Sequence, residues 1–234
     1  MPGDHRDGDG VHRTYDYIAA HFAKTREYAW PEVEAFLEGR TASLAVDVGC
    51  GNGRHTELLA ARADRALGVD ASTGLLGEAG DRAAERGFDA DLVAGDAARL
   101  PLRDGVADLA VYVATVHHLG SRADRVASFD ELARVLAPGG AALVSAWSTE
   151  HDRFEDEASR APDGRAAADS EPEREGFDTA VDWTLPGGET VPRFYHIYHP
   201  PEFRADLEAS ALAVEDAFVS SGNCYAVVRP ASGA

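Results

Sequence analysis

The sequence has little lysine, little cysteine and no long apolar run. Lys24 is the single lysine; 22 basic residues face 41 acidic ones, for a formal net charge of −19. No basic face of the kind that binds nucleic acid is visible. An acidic, nearly lysine-free surface fits a halophilic source, where self-repelling carboxylates keep proteins soluble. A GC-rich genome would favour the same usage. At molar salt the Debye length is about 3 Å and counterion release drives little binding, so the missing basic face does not exclude RNA. Cys50 and Cys224 cannot complete a zinc site by themselves, and a disulfide is not expected in a reducing cytosol. No apolar run reaches transmembrane length, and the N-terminus lacks the apolar core of a signal peptide, so a soluble, cytoplasmic chain is expected. There are no internal repeats. At 234 residues, the chain suits one α/β domain.

What is present is more specific. The stretch Leu44–His55 reads as a buried strand ending in a turn with Gly49, Gly51 and Gly53, and Thr56–Arg62 reads as a helix. Strand, glycine turn and helix present backbone N–H groups to a ligand at the carboxyl edge of a parallel sheet. The spacing is G-x-G-x-G rather than the dinucleotide G-x-G-x-x-G, and Asp47 stands two positions before the first glycine. Strands are expected at 43–48, 66–69, 91–94, 107–114 and 141–147, with helices between them and a helix stop at Ala137–Gly140. Earlier, a helix is expected around Tyr15–Phe22 and another from Pro31, a residue favoured at a first helical position. Residues 1–12 are expected to fray. Residues 150–178 are acidic and poor in large apolar side chains, and read as a mobile insertion. A strand over 191–198, a helix from Pro200 and a hairpin of 213–219 with 224–228 about Ser220–Asn223 complete the chain.

The glycine turn with Asp47 resembles motif I of class I S-adenosylmethionine (SAM) methyltransferases. That resemblance implies a Rossmann-like α/β fold: a seven-stranded, mostly parallel sheet with an antiparallel last strand and helices on both faces. It divides 13–234 into an N-terminal helical lid (13–40), a SAM-binding core (43–149), the insertion (150–178) and substrate-side strands (179–234). For SAM it implies Asp47, Gly49, Cys50, Gly51 and Gly53 at the turn. Asp70 with Ala71 would serve the ribose, Asp96 with Ala97 the adenine, and Ala114 the methionine moiety. Asp70 would serve NAD equally well, and both Asp70 and Asp96 could simply cap helices.

The flanks narrow the resemblance. Tyr15–Arg26 followed by Trp30-Pro31, then Val116-His117-His118, Ala146-Trp147, Val181-Asp-Trp183 and Arg193-Phe-Tyr-His-Ile-Tyr198 resemble the tRNA wobble-uridine methyltransferases. These enzymes convert 5-carboxymethyluridine to its methyl ester. A carboxylate with a pKa near 4 is ionised at neutral pH and needs placement rather than a base. Arg26, His117, His118, Arg193, Tyr195 and His196 are the residues expected to place it, with Tyr195 able to stack on the base. The resemblance also implies a small zinc-binding activator subunit, paired to the exposed edge of the third strand as a heterodimer. Two other readings stay open: a small-molecule carboxyl or O-methyltransferase, and a non-catalytic SAM-binding scaffold.

Overall fold

The structure is a computed structural model and describes residues 10–154 and 176–231. Among the described residues, nine strands and six α-helices are arranged as follows. The helices α1 (Val11–Lys24) and α2 (Pro31–Leu37) precede β1 (Ala42–Val48), α3 (Thr56–Ala60), β2 (Ala63–Asp70), α4 (Thr73–Arg86) and β3 (Asp91–Ala94). Then come β4 (Ala107–Val113), α5 (Arg122–Val135), β5 (Leu136–Trp147), β6 (Phe177–Thr184), β7 (Thr190–Ile197), α6 (Pro200–Glu208), β8 (Leu212–Ser220) and β9 (Asn223–Pro230).

Seven strands form one sheet in the order β3-β2-β1-β4-β5-β9-β8, while β6 and β7 make a separate antiparallel pair. The β1–β5 ladders are parallel, and β9 runs antiparallel to both β5 and β8. Strand order reverses between β1 and β4. Ligands of open α/β sheets bind beyond the carboxyl ends of the strands at such a point. The central strands are apolar on both faces because helices cover both. Val46, Tyr112 and Val144 pack on one side with Phe129, Leu132 and Phe203. Ala45, Val111 and Leu143 pack on the other with Val33, Phe36 and Leu59.

Local chemistry sets the boundaries. Ser72 caps α4 by accepting from the Leu75 N–H (3.1 Å), and Gly87 closes that helix in the left-handed region. Ser121 caps α5 on the Asp124 N–H (3.1 Å). The β8–β9 hairpin turns through Ser221 and Gly222, both at positive φ, as a tight two-residue loop requires. Two expectations shift. Ala137–Gly140 does not separate α5 from its strand: the helix ends at Val135 and β5 starts at Leu136, running through the glycines. The helix α1 already begins at Val11, inside the stretch expected to fray; residues 1–9 lie outside the described residues. Of the expected insertion, 155–175 lies outside them too, and β6 opens at Phe177. Among the described residues no helix is long and apolar enough to cross a membrane.

Candidate active site

A cavity of about 1140 Å³ opens at the carboxyl ends of β1, β2 and β4, roofed by the loop between α1 and α2. Its floor is the glycine turn. Gly49, Gly51 and Gly53 all have positive φ, where a Cβ is disfavoured. A Cβ on Gly49 would also stand 2.1 Å from Thr115 Oγ1. The turn does not offer its N–H groups as the sequence led us to expect. Gly49 and Cys50 donate to the Val69 carbonyl (2.7 and 3.0 Å), Gly53 to Cys50 O (2.9 Å), and Gly51 to Asp70 Oδ2 (2.8 Å). The stitched turn instead provides a bare surface that a ligand can approach closely.

Along that floor, Asp70 accepts from Gly51 and, through Oδ1, from the Ser72 N–H (2.8 Å), and burial raises its pKa. The helix cap is Ser72, not Asp70. Asp96 is exposed to the cavity, its Oδ1 accepting from Ala98 N–H (2.9 Å). Ala71 and Ala97 adjoin these carboxylates on the wall. Ala114, the residue after β4, stands at φ 55, a conformation rare without a glycine, with its N–H donating to Ser145 O (3.1 Å). Asp47 and Gly53 are not on the wall. Asp47 is buried behind the turn, where it accepts from Thr56 Oγ1 (2.6 Å); desolvation raises its pKa to about 7. A Cβ on Gly53 would stand 3.2 Å from Ala79 Cβ, so the glycine lets the turn pack closely on α4.

The far wall is aromatic and holds Tyr15, His117, His118, Trp147 and Tyr195. The Tyr195 ring stacks on Trp147 (4.8 Å, 27°) and lies 4.8 Å from His117. One hydrogen-bond chain orders it. The Phe194 carbonyl can only accept, so His118 Nδ1–H donates to it (2.9 Å) and His118 Nε2 accepts from Tyr15 O–H (2.9 Å). Tyr15 Oη then accepts from Arg193 Nη1 (3.2 Å) and from the Tyr195 hydroxyl (3.3 Å). His117 has the opposite polarity, its Nδ1 accepting from the Trp147 N–H (3.1 Å). Burial keeps both imidazoles neutral, with His118 lowered to about 3 and His117 well below the usual value.

Of the six expected acceptor-side residues, four line the cavity: Arg26, His117, His118 and Tyr195. Arg193 lies behind them, buried against the rings of Trp183 (5.0 Å) and Tyr195 (5.2 Å), with Nε lacking a hydrogen-bond partner among the described residues. His196 is further away and clasps β7 to its neighbours, bonding Asp178 (2.7 Å) and Glu202 (3.0 Å). Arg26 packs over Phe22 (4.8 Å) and Trp183 (5.6 Å), and desolvation with nearby Arg193 lowers its pKa. Sequence reasoning passed over Arg54, which lines the cavity over the Trp30 ring (5.1 Å), and Asn52. Asn52 Nδ2 donates to Ala23 O (3.2 Å) and Arg26 O (3.0 Å), tying the roof to the glycine turn. Their position beside the glycines was the available signal. In the sequence, Tyr15 reads as the start of a helix and of the family-like segment Tyr15–Arg26, with no role of its own at the site.

The donor set suits SAM: a carboxylate, Asp70, for the ribose diol at the end of β2, a second, Asp96, just past β3 for the adenine, and a floor open to close approach. Comparison with known proteins agrees. Residues 46–144 match the methyltransferase domain family. A putative methyltransferase of Encephalitozoon cuniculi is 34% identical, with 80% of each chain covered. The tRNA (carboxymethyluridine(34)-5-O)-methyltransferase of Arabidopsis thaliana is 38% identical over 61% of this chain, which spans only 33% of that protein. Among solved structures, the putative methyltransferase in complex with the Haloferax volcanii Trm112 activator shares the fold, with TM-score 0.66 at 16% identity, covering 96% of this chain and 99% of that one. The chain belongs to the class I SAM-dependent methyltransferases and, among them, resembles the tRNA carboxymethyluridine methyltransferases.

Proposed function

We propose that this chain forms the methyl ester of 5-carboxymethyluridine at the tRNA wobble position, working with a small zinc-binding activator subunit. The observation that carries the reading is Arg26. Its guanidinium faces the cavity, packed on two rings, with no carboxylate at ion-pair distance among the described residues. Half-buried and beside Arg193, it lacks the counter-charge that an acceptor carboxylate would bring.

SAM, when bound, supplies an electrophilic methyl group; the turn Gly49–Gly51, Asp70, Ala71, Asp96, Ala97 and Ala114 would hold it, with Asp47 and Gly53 supporting from behind. The acceptor is already an ionised carboxylate, so no general base is needed, which fits a wall whose histidines are neutral and hydrogen-bonded. The chain's own work is placement. Arg26 holds one carboxylate oxygen and leaves the other free to attack. Tyr195, His117 and His118 offer flat surface to the base. Arg193, through Tyr15, and His196, through Asp178 and Glu202, keep that surface rigid. The edge strand β3, only four residues long and incompletely buried, supports addition of a partner strand. The tRNA carboxymethyluridine relatives support the nucleic-acid acceptor over a metabolite.

Labelled methyl transfer from SAM to tRNA carrying 5-carboxymethyluridine, with activator present, tests this against transfer to a metabolite extract. Arg26→Ala is expected to lower kcat/KM for tRNA about 100-fold, the worth of a lost charged hydrogen bond, with SAM affinity unchanged. Label entering metabolite carboxylates and never tRNA overturns the reading.

A further inference from the structure

The loop between α1 and α2 carries an aromatic ring that the fold itself does not use. Tyr28 is 81% exposed, and among the described residues it makes no hydrogen bond or ring contact. The other large exposed rings are engaged. Tyr17 bonds both Glu189 oxygens (3.1 Å), and Phe218 stacks on Tyr225 (5.2 Å, 11°). An exposed large side chain with no partner, at the rim of the main cavity, is the informative kind.

The backbone beneath Tyr28 is held on both sides. Thr25 and Arg26 N–H close onto Phe22 and Ala23 carbonyls (3.1 and 3.0 Å), and Asn52 ties Arg26 O to the glycine turn (3.0 Å). Arg82 Nη2 donates to Glu27 O (2.8 Å), and Arg86 pairs with the Glu27 carboxylate. On the far side, Trp30 immediately precedes α2 and accepts the first helical N–H bonds at its carbonyl. The ring is thus free while its attachment is fixed, so little entropy is lost on ordering it against a ligand. Lys24, Arg26 and Arg54 line the same cavity, none of them ion-paired among the described residues, and of the three Lys24 is the exposed one. In a chain of net charge −19, the single lysine stands at this mouth.

We propose that Tyr28 is a stacking platform for the nucleobase next to the methylated uridine, with Lys24 set to meet the adjoining phosphate. The inference rests on the tRNA reading above. A base entering the cavity must leave its stack, which bares a face of its neighbour in the anticodon loop. An aromatic carried on a held backbone at the rim covers that face, and it does so whatever the neighbour's identity because every base has a π-face.

The test uses the full chain with its activator, and anticodon stem-loops carrying 5-carboxymethyluridine. Tyr28→Ala is expected to raise KM for the intact stem-loop about tenfold, with kcat within about twofold and SAM affinity and melting temperature unchanged. Tyr28→Phe and Tyr28→Trp should stay close to wild type. A stem-loop made abasic on one side of the target should lose the same factor with wild type and nothing further with Tyr28→Ala. An unchanged KM in Tyr28→Ala, or losses that multiply on both abasic stem-loops, overturns the inference while leaving the proposed function standing. A wild-type complex that methylates no stem-loop overturns both.

Discussion

His117 and His118 sit side by side, their ring centroids 4.5 Å apart, yet their hydrogen bonds run in opposite directions. His118 donates from Nδ1 to a carbonyl of β7, whereas His117 accepts at Nδ1 from the backbone of β5. The pair was legible in the sequence, but the tautomers were not, because Phe194 and Trp147 choose them across long chain separations. Both rings stay neutral through physiological pH, so neither is expected to add a slope to kcat between pH 6 and 8. His118→Gln should leave the shape of that profile unchanged in labelled transfer; the group that titrates in this window is Asp47, raised to about 7. Stability should behave otherwise. An unfolded imidazole takes a proton below about pH 6.5, while His118 refuses one until about pH 3. Its contribution is therefore full above 6.5 and is lost as pH falls toward 3. His118→Gln should make the acid-side decline of melting temperature shallower than in wild type. An equal slope in both proteins would contradict the assignment.

At the level of elements, the glycine turn is one unit with three distinct demands. All three glycines need positive φ, but a Cβ on Gly49 would also meet Thr115 Oγ1 at 2.1 Å and one on Gly53 would meet Ala79 Cβ at 3.2 Å, whereas Gly51 has open space. The sequence spacing made the three look equivalent. Gly51→Ala should lose about 2–4 °C in melting temperature, the backbone penalty alone of about 1 kcal/mol. Gly49→Ala should lose about 10 °C, and Thr115→Gly in the same chain should recover part of it. Scanning fluorimetry without ligand reads both, and equal losses would show that Thr115 yields freely. The elements themselves were largely legible: apolar runs marked β1, β4 and β9, and Pro31 and Pro200 each opened a helix. The start of β5 was not, because Leu136 already pairs with Ala107 of β4 and the ladder resumes only at Ala141, so Pro138 and Gly139 sit in an irregularity inside the strand rather than in a turn before it.

For the molecule as a whole, the dominant property is charge. Forty-one acidic residues on a chain of 234 repel one another at low ionic strength. Several are paired, such as Glu131 and Asp104 with Arg134 (2.7 and 2.6 Å), but the excess is large. Screening shortens from about 10 Å at 0.1 M to about 3 Å at 1 M. Melting temperature is therefore expected to rise with KCl over that range. A flat or falling curve would show that self-repulsion contributes little to this fold.

The sequence by itself determined the alternation of strands and helices, the glycine turn and the net charge, because each is written in neighbouring residues. It also named Arg26, Tyr195 and the histidine pair as acceptor-side candidates. Tertiary structure decided which of these share a cavity, since a side chain's reach depends on strands brought together from distant segments. It moved Asp47, Gly53, Arg193 and His196 behind the wall, turned Tyr15 from the start of a helix into the hub of a hydrogen-bond chain, and left Tyr28 bare at the rim.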